Sequence, residues 1–255
     1  MRYAWLVAMW AACSFKPPAG TGDAALPEDA RDAAGDDSDM PPFDGPAVAC
    51  DPELCASIAG TCNATTGYCD IDFAGSGRAA CRAGLRCNIT CDDAVDTCAG
   101  GIDCRSADAC IITCATGDAC RNGSVLCPTV GPCQVTCAGN DACGNHGVTC
   151  GDGRCDVACT GNNACKTGGI KCGTSTDCHG KCESPNACQN GGIQCGPTGV
   201  CEASCKGNNA CETQVCTGAP TACTFNCCGP NACGDTTPPC PGCAETNVCL
   251  VSFAE

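Results

Sequence analysis

The chain has 255 residues, 37 of them cysteine, and a formal charge of −15. Only 4% of its residues are aromatic, so it lacks the large side chains that usually fill a core of this length, and cross-links must take their place. The acidic balance argues against nucleic acid as a partner, and the cysteine density implies disulfides and an oxidising compartment.

Met1-Arg2 is a short basic start, and Tyr3 to Ala12 is an apolar run too short to span a bilayer. The run ends Trp10-Ala11-Ala12-Cys13. That ending resembles a bacterial lipoprotein signal over residues 1–12, in which small residues precede a cysteine that becomes the acylated first residue. Trp10 departs from the leucine usual at that position. The resemblance implies lipidation at Cys13 and a membrane partner through a lipid anchor. Ser14 is similar to residues that let such lipoproteins proceed to the outer membrane. Cysteine arithmetic agrees, because using Cys13 leaves an even number to pair. An ordinary signal peptide is the competing expectation.

Residues 13–49 read as a lipid-anchored, disordered acidic linker. Asp23, Glu28, Asp29, Asp32, Asp36, Asp37, Asp39 and Asp44 face only Lys16 and Arg31, among many prolines. Such a segment repels itself and has little apolar surface to offset the entropy of ordering. It is a solvated tether rather than a calcium site.

Residues 50–80 carry Cys50, Cys55, Cys62 and Cys69 at spacings unlike those that follow. They predict a small disulfide-knot entry segment that caps what comes next. The segment looks like cysteine clusters found in front of repeats in large extracellular bacterial proteins.

From residue 81 to 237 a cysteine rhythm takes over. Its units begin at Cys87, Cys110, Cys133, Cys155, Cys178, Cys201 and Cys223, in steps of 22–23 residues. A fixed period of that size marks a repeat whose units must stack to bury their faces. Second cysteines follow at Cys91, Cys114, Cys137, Cys159, Cys182 and Cys205. Between first and second stand Ile89, Ile112, Val135 and Val157, then Gly180, Ala203 and Phe225. Alternation of this kind is a strand with one inward face. Third cysteines are Cys98, Cys120, Cys143, Cys165, Cys188 and Cys211; fourth ones are Cys104, Cys127, Cys150, Cys172, Cys195 and Cys216. A second short strand precedes each fourth cysteine, with Ile102, Val125, Val148, Ile170, Ile193 and Val215 pointing inward. Between the strands, two residues before each third cysteine, lie Asp96, Asp118, Asp141, Asn163, Asn186, Asn209 and Asn231. Asn and Asp tolerate left-handed turns and form ladders when coils stack.

Two inward-facing strands per 22–23 residues predict an all-β fold: a disulfide-rich parallel β-solenoid with short strands and many turns. A string of independent disulfide modules is the alternative. First and second cysteines stand about 13 Å apart on one strand and cannot bond to each other. A second strand returning across the first would pair first with fourth and second with third; bonds between coils are also within reach. Residues 238–255 form a C-terminal cap, in which Pro238, Pro239 and Pro241 interrupt strand pairing. Cys240, Cys243 and Cys249 fasten it, with the off-rhythm Cys228 as a natural partner.

No nucleophile has an evident base, no phosphate-binding or dinucleotide motif occurs, and the histidines are only His146 and His179. No cofactor and no metal site is expected, because zinc-finger spacing is absent. One row merits weighing: Asp156, His179 and Glu202 occupy equivalent outward positions in successive coils, with Lys181 beside them. Asp156 and Glu202 would stand about 9.6 Å apart, near the upper limit for an inverting glycoside hydrolase. Solenoids include many polysaccharide-cleaving enzymes, so these three are weak catalytic candidates against the plainer reading of a solvated face. Thr90, Thr113 and Thr136 form a partial outward column; threonine arrays on disulfide-rich solenoids resemble insect antifreeze proteins, but this column breaks at Ala158.

Taken together, the chain resembles bacterial cysteine-rich surface lipoproteins. The expectation is an exported, lipid-anchored scaffold at the outer membrane or cell surface. Its role is structural or adhesive, without catalytic activity, and it displays itself to a surface glycan or protein ligand. The alternatives are a polysaccharide-active β-helix enzyme and a metal-thiolate storage protein.

Overall fold

A computed structural model describes residues 49–92, 96–212, 215–216, 222–229, 231–234 and 243–245. The signal at 1–12, Cys13, nearly all of the linker, and Pro238, Pro239, Cys240, Pro241 and Cys249 lie outside the described residues.

The elements are short and regularly spaced. First come α1 (Pro52–Ala56), β1 (Thr61–Cys62), β2 (Cys69–Asp72), β3 (Ala79–Ala80), β4 (Arg86–Cys91) and β5 (Ile102–Asp103). Then follow β6 (Ala109–Cys114), β7 (Val125–Leu126), β8 (Cys133–Cys137), β9 (Val148–Thr149), β10 (Arg154–Cys159) and β11 (Ile170–Lys171). The last are β12 (Asp177–Cys182), β13 (Ile193–Cys195), β14 (Val200–Lys206), β15 (Val215–Cys216), β16 (Ala222–Cys228) and β17 (Cys243–Glu245). Among the described residues no helix is long and apolar enough to cross a membrane.

The strands form a parallel β-solenoid. One sheet of ten strands runs β1-β2-β4-β6-β8-β10-β12-β14-β16-β17, and a second of seven runs from β3 to β15 through the short odd-numbered strands. All pairs are parallel except β1 with β2. Registry in the first sheet aligns Ile71, Ile89, Ile112, Val135, Val157, Gly180, Ala203 and Phe225 in one internal column. The second sheet adds Ala79, Ile102, Val125, Val148, Ile170 and Ile193. The last short strand slips: Cys216 stays opposite Cys195, and Val215 falls opposite Gln194 instead of Ile193. The cysteine, not the aliphatic residue, holds register there.

The turns between the two strands carry the strain of the coil. All seven Asp/Asn positions have φ of 56–66°, and the third cysteines, Cys98 to Cys233, have φ of 49–64°. Left-handed backbone costs a non-glycine residue roughly 1–2 kcal/mol, so the surroundings must hold it. They do so by stacking. The amide of Cys143 donates to the carbonyl of Ala119, Cys165 to Ala142, Cys188 to Ala164, and Cys211 to Ala187. Those alanines are fully buried, which explains why a small residue precedes the third cysteine in all units but the first, where Thr97 takes the place and its carbonyl accepts from the amide of Cys120. At the next corner, a Cβ on Gly168 would stand 1.9 Å from the backbone carbon of His146; only glycine lets successive coils approach so closely.

The disulfides correct half of the expected pairing. Second joins third as foreseen, in Cys91–Cys98, Cys114–Cys120, Cys137–Cys143, Cys159–Cys165, Cys182–Cys188, Cys205–Cys211 and Cys227–Cys233. First does not join fourth. The fourth cysteine instead bonds the first of the following coil, in Cys104–Cys110, Cys127–Cys133, Cys150–Cys155, Cys172–Cys178 and Cys195–Cys201. The second strand does not return across the first. It leads into a corner that enters the next coil, and the bond spans that corner between cysteines five or six positions apart in sequence, with Cα atoms 5.7–6.5 Å apart. Each of these disulfides is thus a corner staple closing a short loop, worth about 2 kcal/mol on loop entropy.

The four cysteines of residues 50–80 pair among themselves, as expected, but the segment is not separate from the stack. Cys69 stands opposite Cys87 and Ile71 opposite Ile89, so β2 is the first rung of the sheet. Cys81 then behaves as a fourth cysteine, bonding Cys87. The cap consists of what precedes: α1, whose N-terminus is capped by Asp51 accepting from the amides of Glu53 and Leu54, and β1. Cys50–Cys62 and Cys55–Cys69 bind them to the stack. At the other end, the tail contributes β17 as a further parallel strand, with Cys243 opposite Cys223.

Candidate functional face

The outward residues of the large sheet make the most regular surface of the protein. Registry sets Asn88, Ile111, Gln134, Asp156, His179 and Glu202 in one column, and Thr90, Thr113, Thr136, Ala158, Lys181 and Ser204 in the next. Neighbouring rungs lie about 4.8 Å apart. Within these two columns the residues from Asn88 to Thr136 are neutral, and charge enters with Asp156, His179, Lys181 and Glu202.

The structure brings together the three catalytic candidates, Asp156, His179 and Glu202, in a row that is solvated at Glu202, half-buried at His179 and buried at Asp156. Asp156 is 3% exposed, and Arg154 holds it through Nε at 2.8 Å and a terminal nitrogen at 3.3 Å. That hydrogen bond raises the guanidinium above its ordinary value, against the opposing effect of burial. Arg154 also approaches Asp177 at 4.0 Å. Asp177 in turn meets Nε2 of His179 at 2.8 Å, and Nδ1 of His179 meets Glu202 at 3.0 Å. The result is a chain of polar contacts running across three coils, with the Arg154–Asp156 ion pair at one end. An inverting hydrolase needs one carboxylate to activate water and another to donate a proton. Here Asp156 is buried and bound to a guanidinium, which suits neither task.

Arg154 and Asp177, which the sequence reading passed over, complete the chain. Both immediately precede a first cysteine, one position before the stretch read as strand, and lengthening the strands by that residue would have placed them on this face. A second omission lies at the cap. A cleft of about 320 Å³ opens beside β2, lined by Ala59, Thr61, Asp70, Ile71, Asp72, Asn88 and Thr90. Asp70 accepts there from the side-chain amides of Asn63 and Asn88. Reading the entry segment as off-rhythm concealed that Asp70 and Asp72 continue the outward columns.

The turn positions behave as a stacking device. Asn209 donates to Asn186 at 3.2 Å, and Asn231 donates to Asn209 at 3.1 Å. Asparagine both donates and accepts, so it can repeat from coil to coil. Aspartate only accepts, and Asp118 takes Arg121 of its own turn as partner. The second sheet has its own ion cluster: Asp103 binds Arg78 and Arg105 at 2.8 Å each. The hydrogen bond from Arg105 holds the Asp103 carboxyl down at about 2, against burial.

Sulfur atoms of neighbouring coils also converge. Those of Cys91, Cys114 and Cys120 lie within 4.8 Å of one another, as do Cys127, Cys150 and Cys155. Every cysteine whose side chain is described is disulfide-bonded, including Cys223 and Cys228. A disulfide sulfur carries no thiolate charge, the form that binds soft metals. The backbone of Cys216 is placed by registry, and its side chain lies outside the described set, as does Cys13.

No protein-family model, curated protein or solved structure matches the chain.

Proposed function

We propose that the protein is an exported, lipid-anchored scaffold on a bacterial surface, with a structural or adhesive role and no catalytic activity. The observation that carries this reading is the continuous stack in which each described cysteine side chain is oxidised. Such a fold is maintained in extracellular or periplasmic conditions and not among cytosolic reductants. The ending Trp10-Ala11-Ala12-Cys13 supports the anchor, and the acidic linker supports display at a distance from the membrane. The neutral half of the large sheet, Asn88 to Thr136, is the surface this reading assigns to a glycan or protein ligand. It is rigid, regular and free of like-charge repulsion in a chain of −15. The buried, ion-paired Asp156 favours a structural charged row over a polysaccharide-cleaving one.

The test is fractionation with surface labelling in a bacterial host. The native chain is expected in the membrane fraction, acylated at residue 13 and accessible to an impermeant label. Cys13→Ser should release it or leave it unprocessed. Thr113→Lys with Thr136→Lys should weaken adhesion of labelled particles without changing the disulfide map. An unmodified mature N-terminus elsewhere would remove the anchor. Many free thiols with bound zinc or copper would instead establish the metal-thiolate alternative.

A further inference from the structure

The cleft beside β2 exists because a rung is incomplete. β1 pairs only with Cys69 and Asp70, so no strand stands beside Ile71 and Asp72 on the cap side of the sheet. The amide of Phe73 donates to the carbonyl of Thr90, across the ladder. Backbone groups of successive residues in a strand point to opposite sides, so those of Asp72 face the open side. The cleft, of about 320 Å³, is bounded there by Ala59 and Thr61 of the cap, and on its other flank by Asn88 and Thr90 of the next rung. Cys50–Cys62 and Cys55–Cys69 fasten the cap, and the parallel ladder of β2 with β4 fastens the rest. Its shape is therefore set before anything enters, which lowers the cost of binding.

The polar groups inside are held in order. Asp70 accepts from the side-chain amide of Asn63 at 3.1 Å on one carboxylate oxygen, and from that of Asn88 at 3.0 Å on the other. Each oxygen keeps a further lone pair. The same bond orients the Asn88 amide and leaves its oxygen as an acceptor. The hydroxyls of Thr61 and Thr90, with the carboxylate and backbone of Asp72, complete a set of donors and acceptors around Ala59 and Ile71. A hydroxyl both donates and accepts, so a polyol satisfies such a set. Two carboxylates without a basic residue in the lining turn anions away. The volume lies at the lower end of small-molecule sites and suits a single ring. We propose that this cleft binds a terminal, uncharged monosaccharide of a surface glycan, with Asp70 as the central acceptor, oriented by Asn63 and Asn88. This rests on the adhesive role assigned to the neutral part of the large sheet, whose first rung is also the wall of the cleft. A glycan leaving the cleft along the sheet passes Thr113 and Thr136, the next residues of the Thr90 column.

The experiment uses the full, disulfide-intact chain, isotope-labelled, and follows its backbone amides by NMR. D-mannose, D-galactose and N-acetylglucosamine are titrated in turn. At least one is expected to shift Asp70, Asp72, Asn88 and Thr90 together, saturating in the millimolar range, without moving Asp156 or Lys181. Asp70→Asn keeps the size of the side chain but removes the charged acceptor, and should weaken binding about tenfold. Should that variant fail to fold, Thr61→Val with Thr90→Val, at an exposed and a half-buried position, should weaken binding with the disulfide map unchanged. Sugars that leave these four amides unmoved overturn the proposal. So does a cleft that responds to calcium chloride or to free lysine but to no sugar. Adhesion of labelled particles is scored separately. Particles that still adhere to a chain whose cleft ignores every sugar sink the cleft and keep the adhesive role. A cleft that binds sugar on a chain that adheres to nothing keeps the site and sinks that role.

Discussion

Gly180 interrupts a column of aliphatic side chains, and the opposite sheet explains it. A Cβ at this position would lie 3.0 Å from Cδ1 of Ile193 and 3.3 Å from Cδ1 of Ile170. The space a valine would occupy is already filled from across the core, and Ala203 and Phe225 then restore the column. Gly180→Val is expected to destabilise the protein by about 1–3 kcal/mol through overpacking. Adding Ile193→Ala should recover part of the loss, by guanidinium unfolding with the disulfides intact. A second residue-scale expectation concerns Asp103. Its folded pKa is depressed from 3.8 to about 2 by Arg105 and Arg78, so its ion pairs stabilise the fold above the higher value. That contribution is lost as pH falls through the lower one. Melting temperatures of the native chain and Asp103→Asn should differ at pH 6 and converge at pH 2.

At the scale of the turn, Asn209 serves two purposes. It holds a left-handed backbone, φ 57°, and its amide links the turns on either side. Asn209→Ala should cost about 1–2 kcal/mol from the backbone alone, and Asn209→Gly should restore that part but not the amide ladder. Amide exchange at Cys211 and Cys233 reads both effects locally. These turns were legible in the sequence, because Asn or Asp two residues before cysteine has few other reasons to recur. So were the strands, from cysteine and aliphatic residues alternating with polar ones. The bond from fourth to first cysteine was not legible. Spacing alone does not distinguish a strand that returns across its partner from one that turns a corner, as Cys104 does towards Cys110. The charged row was half legible: Asp156, His179 and Glu202 were aligned correctly. The burial of Asp156 depends on Arg154 folding over it, which periodicity does not report.

For the whole molecule the open question for any solenoid is its ends, since an unpaired strand edge recruits other chains. The N-terminal edge is closed by β1, two residues long and antiparallel, beneath the disulfides of the cap. The first rung was obscured in the sequence because Cys69 precedes Cys87 by 18 residues instead of 22–23, yet the shorter coil keeps registry. At the C-terminal end β17 covers β16. Deleting residues 238–255 should uncover β16 and produce aggregates or mispaired disulfides, whereas trimming the linker should not. Size-exclusion chromatography of the two truncations compares them.

The stack of stapled coils is tested most directly by a disulfide map of native, unreduced protein by mass spectrometry. The expected map contains Cys104–Cys110, Cys127–Cys133 and Cys172–Cys178 alongside Cys114–Cys120 and Cys137–Cys143, with no titratable thiol in the denatured chain. Bonds from Cys110 to Cys127 or Cys133 to Cys150 within single units, or a substantial count of free thiols, would contradict it.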